Sequence, residues 1–254
     1  MTAGARVAPQ VPIVSVDNIS LHFGGIHALE NVTFHIDAGE FVGLVGANGA
    51  GKSSLLNCLV GYYPWSAGDI RVSGQSIRGW RPHRVAALGV GRTFQHVGHL
   101  QSFTVREAMQ LGADAALPGV TGLSADAVIE HLGLAGALNT PLTELDYGTQ
   151  KMADIARVVM MRPRLLLLDE PTSGIDDGVR QKLLDLFKLL GREVAITALV
   201  VDHDPRFVAQ AAGRTIVMNR GALMADGPTS AVLNDPRVIE SFLGTRAPTE
   251  APPG

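Results

Sequence analysis

Apolar positions in this chain gather in short runs set between polar, glycine-rich or proline-rich stretches. Residues 13–23 and 32–36 read as strands with a turn at Gly24-Gly25 between them. Residues 41–45 are a short apolar strand that runs into a glycine-rich loop, and 52–60 then reads as a helix. The runs 164–168 and 195–201 are bounded by charge, as expected of strands buried on both faces. A further strand at 215–218 closes at a turn, Arg220-Gly221. Helical spacing lies between them: Met152, Ile155, Ala156, Val159 and Met160 share one face, and so do Val179, Leu183, Leu186, Phe187 and Leu190. Asp204-Pro205 and Asp235-Pro236 each put a capping carboxylate before a proline suited to the first helical position.

Strands alternating with helices predict an α/β fold with a mostly parallel sheet covered on both faces. The segment from about 104 to 160 departs from that alternation and reads as an inserted helical subdomain. Residues 1–12 and 246–254 are rich in Ala, Pro and Gly and read as disordered tails, unable to bury enough apolar surface to offset their ordering entropy. No repeat recurs at a 20–50 residue period, which excludes solenoids and propellers.

Composition narrows the function. A net charge of −3 gives no reason to expect a nucleic-acid partner. No apolar run approaches the roughly eighteen residues of a membrane helix, and the first residues lack the apolar stretch of a secretory signal. A cytoplasmic protein is expected, with membrane association only through a partner. The single cysteine, Cys58, sits in an apolar helical stretch and reads as a small buried hydrophobe in a reducing compartment.

The strongest chemical signal is Gly46-Ala47-Asn48-Gly49-Ala50-Gly51-Lys52-Ser53, followed by Ser54. It matches the phosphate-binding pattern G-x-x-x-x-G-K-[ST] in full and lies between a strand and a helix. Its glycines let successive backbone N–H groups turn toward phosphate oxygens, and the helix N-terminus adds favourable potential. Lys52 suits the β- and γ-phosphates of a nucleotide, and the Ser53 hydroxyl suits Mg²⁺. The second signal is Leu165-Leu166-Leu167-Leu168-Asp169-Glu170, an apolar strand that delivers two carboxylates at its C-terminal end, where open α/β sheets bind ligands. Asp169 suits Mg²⁺ or its water, and Glu170 suits a base that orients the attacking water. Together the two motifs predict a P-loop NTPase, and the lack of an Asn-Lys-x-Asp motif argues against a GTPase.

Further residues resemble the ABC ATPase family across about 13–244. Gln95, in Arg92-Thr93-Phe94-Gln95, stands where the family has its Q-loop glutamine, implying contact with Mg²⁺ and the attacking water. His203 matches the switch histidine that contacts the γ-phosphate, and Ser173-Gly174-Ile175-Asp176 looks like the D-loop of the dimer interface. Phe23 falls at the aromatic position that stacks on adenine. The family signature, Leu-Ser-Gly-Gly-Gln, reads here Leu145-Asp146-Tyr147-Gly148-Thr149. In the family this element caps the γ-phosphate of the opposing subunit's ATP. Two readings of Asp146 stand: a carboxylate that repels that phosphate, or a plain cap of the following helix. The first suggests a heterodimer with a second ATPase subunit carrying an intact signature, with a homodimer as the alternative.

The resemblance implies a P-loop core of ABC ATPase type, lobe 13–95 and 161–245, with an antiparallel β subdomain and an inserted α-helical subdomain at about 96–160. Within the family, Phe23-Gly24-Gly25-Ile26-His27-Ala28-Leu29 and the Tyr-Gly signature variant look like the ATPases of branched-chain, or hydrophobic, amino-acid importers. A urea or amide importer, an exporter and a soluble non-transport ATPase are the alternatives. Implied partners are transmembrane permease subunits, which would hold the chain on the inner face of the membrane, and indirectly a solute-binding protein. His96 and His99 lack further ligands near in sequence and read as surface or partner-contact residues, and Trp65 and Trp80 as packing or rim residues.

Overall fold

The computed structural model describes residues 11–93, 100 and 102–243. In chain order the elements begin with β1 (Val14–Phe23), β2 (Ile26–Ile36), β3 (Phe41–Val45), α1 (Lys52–Leu59), β4 (Ala67–Val72) and β5 (Gln75–Ser76). Next come α2 (Pro82–Ala86), β6 (Val90–Arg92), α3 (Val105–Asp114), α4 (Ala125–Leu132), α5 (Tyr147–Met160) and β7 (Leu165–Asp169). The chain continues through α6 (Asp177–Leu189), β8 (Thr197–Val201), α7 (Pro205–Ala211), β9 (Arg214–Asn219), β10 (Ala222–Pro228), α8 (Thr229–Val232) and α9 (Pro236–Leu243). They form two sheets. A four-stranded antiparallel sheet runs β2-β1-β4-β5, and a six-stranded sheet runs β10-β9-β3-β8-β7-β6.

The larger sheet is parallel from β9 through β6, with β10 added antiparallel at one edge. Its central strands β7 and β8 are buried at every position, which is why they read as unbroken apolar runs. The core divides in two across this sheet. One side packs Leu165, Leu167, Leu199 and Val201 with α1 and the antiparallel sheet. The other packs Leu166, Leu168, Ala198 and Val200 with α5, α6 and the helical segment. Alternate residues of one strand thus serve two cores.

The sequence expectation differs in detail. The second strand begins at Ile26, six residues before the expected 32; three register irregularities in its pairing with β1 break the alternation that marks a strand. The strand expected from 195 starts at Thr197, since Ala195 takes a left-handed φ of 49° after a π-helical turn at Leu190–Val194. Strands β4, β5, β6 and β10 and helices α2 and α8 lie outside the sequence expectation. Between β6 and β7 the described residues include helices α3, α4 and α5. Cys58 is fully buried and burial pushes its thiol up to about 12, so it is a packing residue. Trp65 is buried and Trp80 half-buried. Among the described residues no helix is long and apolar enough to cross a membrane.

Candidate functional site

β3 leads into the loop at 46–51, and the loop into α1. Two glycines let the loop lie close to its neighbours. A Cβ on Gly46 would stand 2.3 Å from the Met218 carbonyl oxygen. Gly51, the N-cap of α1, has a φ of 99°, and a Cβ there would stand 2.6 Å from the Ala28 carbonyl oxygen. The Gly221 amide donates to the Ala50 carbonyl at 3.0 Å and ties the loop to the turn after β9.

Lys52 is buried inside this loop. Its ammonium donates to the carbonyls of Gly46 (2.7 Å) and Ala47 (3.0 Å). Desolvation lowers its pKa, and the nearby carboxylates of Glu170 and Asp169 oppose that shift. One cavity is lined by residues 48–54, by Ile26, His27 and Ala28 of β2, and by Glu170. The two sequence signals, with Lys52 and Glu170 118 positions apart, therefore face one space.

Asp169 is the last residue of β7 and is buried. Its Oδ2 accepts from Arg92 Nη2 at 3.0 Å, while Arg92 Nη1 donates to Asn57 Oδ1 at 2.6 Å. The Asp169 amide donates to Thr93 Oγ1 at 3.3 Å. Asp169 Oδ1 is buried without a hydrogen-bond partner. An unmatched buried carboxylate oxygen beside the phosphate loop suits a hard cation's ligand, so the residues present fit Mg²⁺.

Glu170 sits just past the strand with a left-handed φ of 50°. Its amide donates to the Val201 carbonyl at 2.8 Å, and its own carbonyl accepts from the Ser173 amide at 3.2 Å and from Lys151 Nζ at 2.6 Å. Lys151 also donates to the Ser173 carbonyl at 2.7 Å and lies over the Tyr147 ring. Burial lowers the Lys151 pKa against the pull of Asp202, Glu170 and Asp169. Fully buried Asp202, after β8, accepts from the Thr172 amide (3.1 Å), the Thr172 hydroxyl (2.7 Å) and the Asp204 amide (2.9 Å). It thereby fixes the loop after Glu170 against the loop that carries His203. The His203 ring is exposed, with Nδ1 4.0 Å from Asp202 Oδ1.

The signature stretch opens α5. Asp146 is its N-cap: Oδ1 accepts from the Thr149 amide (2.9 Å) and Oδ2 from the Thr149 hydroxyl (2.6 Å). The Thr149 hydroxyl, then its amide, hold the Asp146 carboxyl below the usual range. The capping reading is thus realised, while the carboxylate stays ionised and exposed. Tyr147 lies against Gly174, where a Cβ would come within 2.8 Å of its ring, and Gly148 is buried behind it. Ser173 and Gly174 follow Glu170 closely, and Asp176 caps α6 through the Val179 amide at 2.9 Å. Phe23 is exposed at the end of β1, on the hairpin that lines the cavity, with its ring edge-on to Tyr63 at 5.2 Å.

Gln95, Phe94, His96 and His99 lie outside the described residues. Sequence reasoning missed Lys151, Arg92, Asn57, Thr172 and Asp202 as parts of this site. No short motif marks their bonds, because each joins segments well separated in sequence.

Known proteins supply an independent comparison. Residues 29–173 match the ABC transporter family. The chain is 32% identical to the high-affinity branched-chain amino acid transport ATP-binding protein BraF of Pseudomonas aeruginosa, over 92% of this chain and 98% of that protein. It is likewise 32% identical to the corresponding protein LivG of Escherichia coli, with the same coverage. The fold superposes with a TM-score of 0.80 on a crystal structure of an ABC transporter's ATP-binding cassette in its ADP conformation, 26% identical, covering 92% of this chain and 99% of that one. The chain belongs to the ABC transporter family, as one of its ATP-binding, ATP-hydrolysing subunits.

Proposed function

We propose that this chain energises an importer of branched-chain or other hydrophobic amino acids, working at the cytoplasmic face of the membrane through permease subunits. The observation that carries the catalytic part of this reading is the single cavity shared by residues 48–54 and Glu170. Backbone amides of 46–51, Lys52, Ser53 and Ser54 would grip the triphosphate of ATP, with Phe23 against the adenine. Ser53, Asp169 and Gln95 would hold Mg²⁺, which when bound neutralises charge on the phosphates. Glu170 would orient the attacking water and take its proton, and His203 would contact the γ-phosphate. Catalysis of this kind is positioning and electrostatics, without a covalent intermediate.

Glu170→Gln tests it. The variant should retain ATP while turnover falls by at least about 10²-fold, the usual worth of a general base. Unchanged turnover would remove Glu170 from the chemistry. The solute class rests on the likeness to BraF and LivG across nearly the whole chain. Uptake of labelled leucine, and not of urea, by cells expressing the chain with its permeases is the expected result, and the reverse preference refutes it.

Asp146 supports an unequal pair of ATPase subunits, in which this chain's site is capped by an intact signature and its own signature caps the partner's ATP poorly. Turnover of the purified chain should stay low as its concentration rises. Robust cooperative activity from the homodimer contradicts this reading.

A further inference from the structure

The hairpin beside the phosphate loop carries a second set of donor atoms. In a regular strand His27 and Glu30, three apart, point to opposite faces. Here the register between β1 and β2 slips twice between Ile19 and His22. Ile19 pairs with Val32 but Leu21 with Leu29, and His22 then pairs with His27. Each slip places an extra residue in β2, and such bulges re-aim side chains. The outcome is that His22, His27 and Glu30 converge.

Glu30 Oε2 lies 2.8 Å from His27 Nδ1 and 3.3 Å from His22 Nε2. The two ring centroids lie 4.1 Å apart, with the ring planes tilted by 31°. One donor atom from each of the three residues lies within 4.8 Å of the others. Ligands at tetrahedral corners around zinc, with bonds of about 2.0–2.1 Å, stand about 3.3 Å apart. The set therefore needs only small side-chain movements to enclose an ion. Its support is built in: the Glu30 amide donates to the Gly221 carbonyl at 2.9 Å, and Asn31 Nδ2 donates to Glu30 Oε1 at 3.4 Å. Such outer contacts orient ligands.

We propose that His22, His27 and Glu30 form a site for a divalent transition-metal ion of the zinc class, with water completing the coordination. Two imidazoles and one carboxylate suit zinc, copper and nickel and leave an open position. The donors are exposed to half-buried, so an ion can enter from solvent. The site differs in chemistry from the Asp169 and Ser53 position, whose oxygen donors suit Mg²⁺. His27 also lines the phosphate-loop cavity, so the ion would sit at its rim and brace the hairpin that ends in Phe23.

The test uses the tag-free full chain without nucleotide. Zinc retained after dialysis and the visible absorption of added Co²⁺ are measured for the native chain, for His22→Asn/His27→Asn, and for Lys52→Ala. The native chain and Lys52→Ala should each bind about one ion, with a tetrahedral Co²⁺ spectrum that excess Mg²⁺ leaves unchanged. The double variant, losing two ligands, should bind at least about tenfold more weakly, the lower bound for loss of even an outer-shell contact. A native chain that binds no better than the double variant overturns the proposal. Loss of the ion in Lys52→Ala, or its displacement by Mg²⁺, overturns it too, by assigning the ion to the nucleotide site.

Discussion

Lys151 Nζ lies 2.6 Å from the carbonyl oxygen of Glu170, and the same ammonium lies 2.7 Å from the carbonyl oxygen of Ser173. Lys151 belongs to the helix that begins with the signature stretch, so one side chain links that helix to the turn carrying the candidate base. Glu170 holds a left-handed φ of 50°, a conformation that a non-glycine residue keeps only when its surroundings enforce it. The Val201 carbonyl holds the amide of that strained residue and the Lys151 ammonium holds its carbonyl.

Lys151→Met should therefore lower turnover by about 10- to 100-fold, the scale expected when a catalytic group is misplaced by about 1 Å. ATP affinity should change little, because Lys151 is not among the residues lining the phosphate-loop cavity. Steady-state kinetics beside equilibrium nucleotide binding separate the two. A variant with native turnover would show that Glu170 keeps its place without the latch.

Arg92 gives a second prediction. Its guanidinium spans Asp169 and Asn57, and side-chain exposure is 13% for Arg92 and 2% for Asp169. Breaking a buried ion pair by deleting one partner costs about 3–5 kcal/mol, and the slight exposure of Arg92 places it toward the lower end. Arg92→Ala should show that loss in urea unfolding. Arg92→Lys should recover only part, since one ammonium cannot match a planar fork that reaches two acceptors. Equal stability of the alanine variant and the native chain would remove Arg92 from the framework of the site.

The backbone of the phosphate loop is equally exacting. Gly51→Ala would meet both an unfavourable φ of 99° and the Ala28 carbonyl 2.6 Å from the new Cβ. A left-handed non-glycine costs about 1–3 kcal/mol, and the contact with backbone adds to it. Lower thermal stability together with weakened ATP binding is expected, measured by calorimetry with and without nucleotide. A variant as stable as the native chain that still binds ATP would show that the loop can move away from β2.

Much of this arrangement was legible in the sequence, for a physical reason. Strands β3, β7 and β8 are buried on both faces and stand out as apolar runs, and the phosphate loop is a contiguous motif whose glycines answer local backbone demands. The elements that escaped carry weak local patterns. β4 reads Ala-Gly-Asp-Ile-Arg-Val with two buried positions, and β6 has three residues, one of them glycine. Early β2 was hidden because its bulges break the two-residue period. The supporting residues were hidden for another reason: Arg92 and Asp169 are 77 positions apart, and Thr172 and Asp202 are 30 apart. Their meeting depends on the order of strands in the sheet, which no spacing encodes.

Asp146 allows its two roles to be separated by experiment. As a cap, it accepts from the Thr149 hydroxyl and amide, and those bonds lower its pKa from the ordinary 3.8. A carboxyl whose folded pKa lies below its unfolded value holds fewer protons when folded, so its contribution to stability is present in full above the unfolded value and fades as pH falls through the folded one. Asp146→Ala should accordingly lower stability by about 1 kcal/mol near neutral pH. The gap between native chain and variant should narrow as pH falls below the ordinary 3.8 and through the lower folded value, read from urea unfolding across pH. Asp146→Ser should keep the cap, because serine serves that position about as well as aspartate. It also removes the negative charge that would face a partner's ATP. If charge governs the partner's site, Asp146→Ser should raise turnover of the homodimer at native stability. If Asp146 is only a cap, Asp146→Ser should match the native chain in both stability and turnover, and the case for an unequal pair of ATPase subunits would fall.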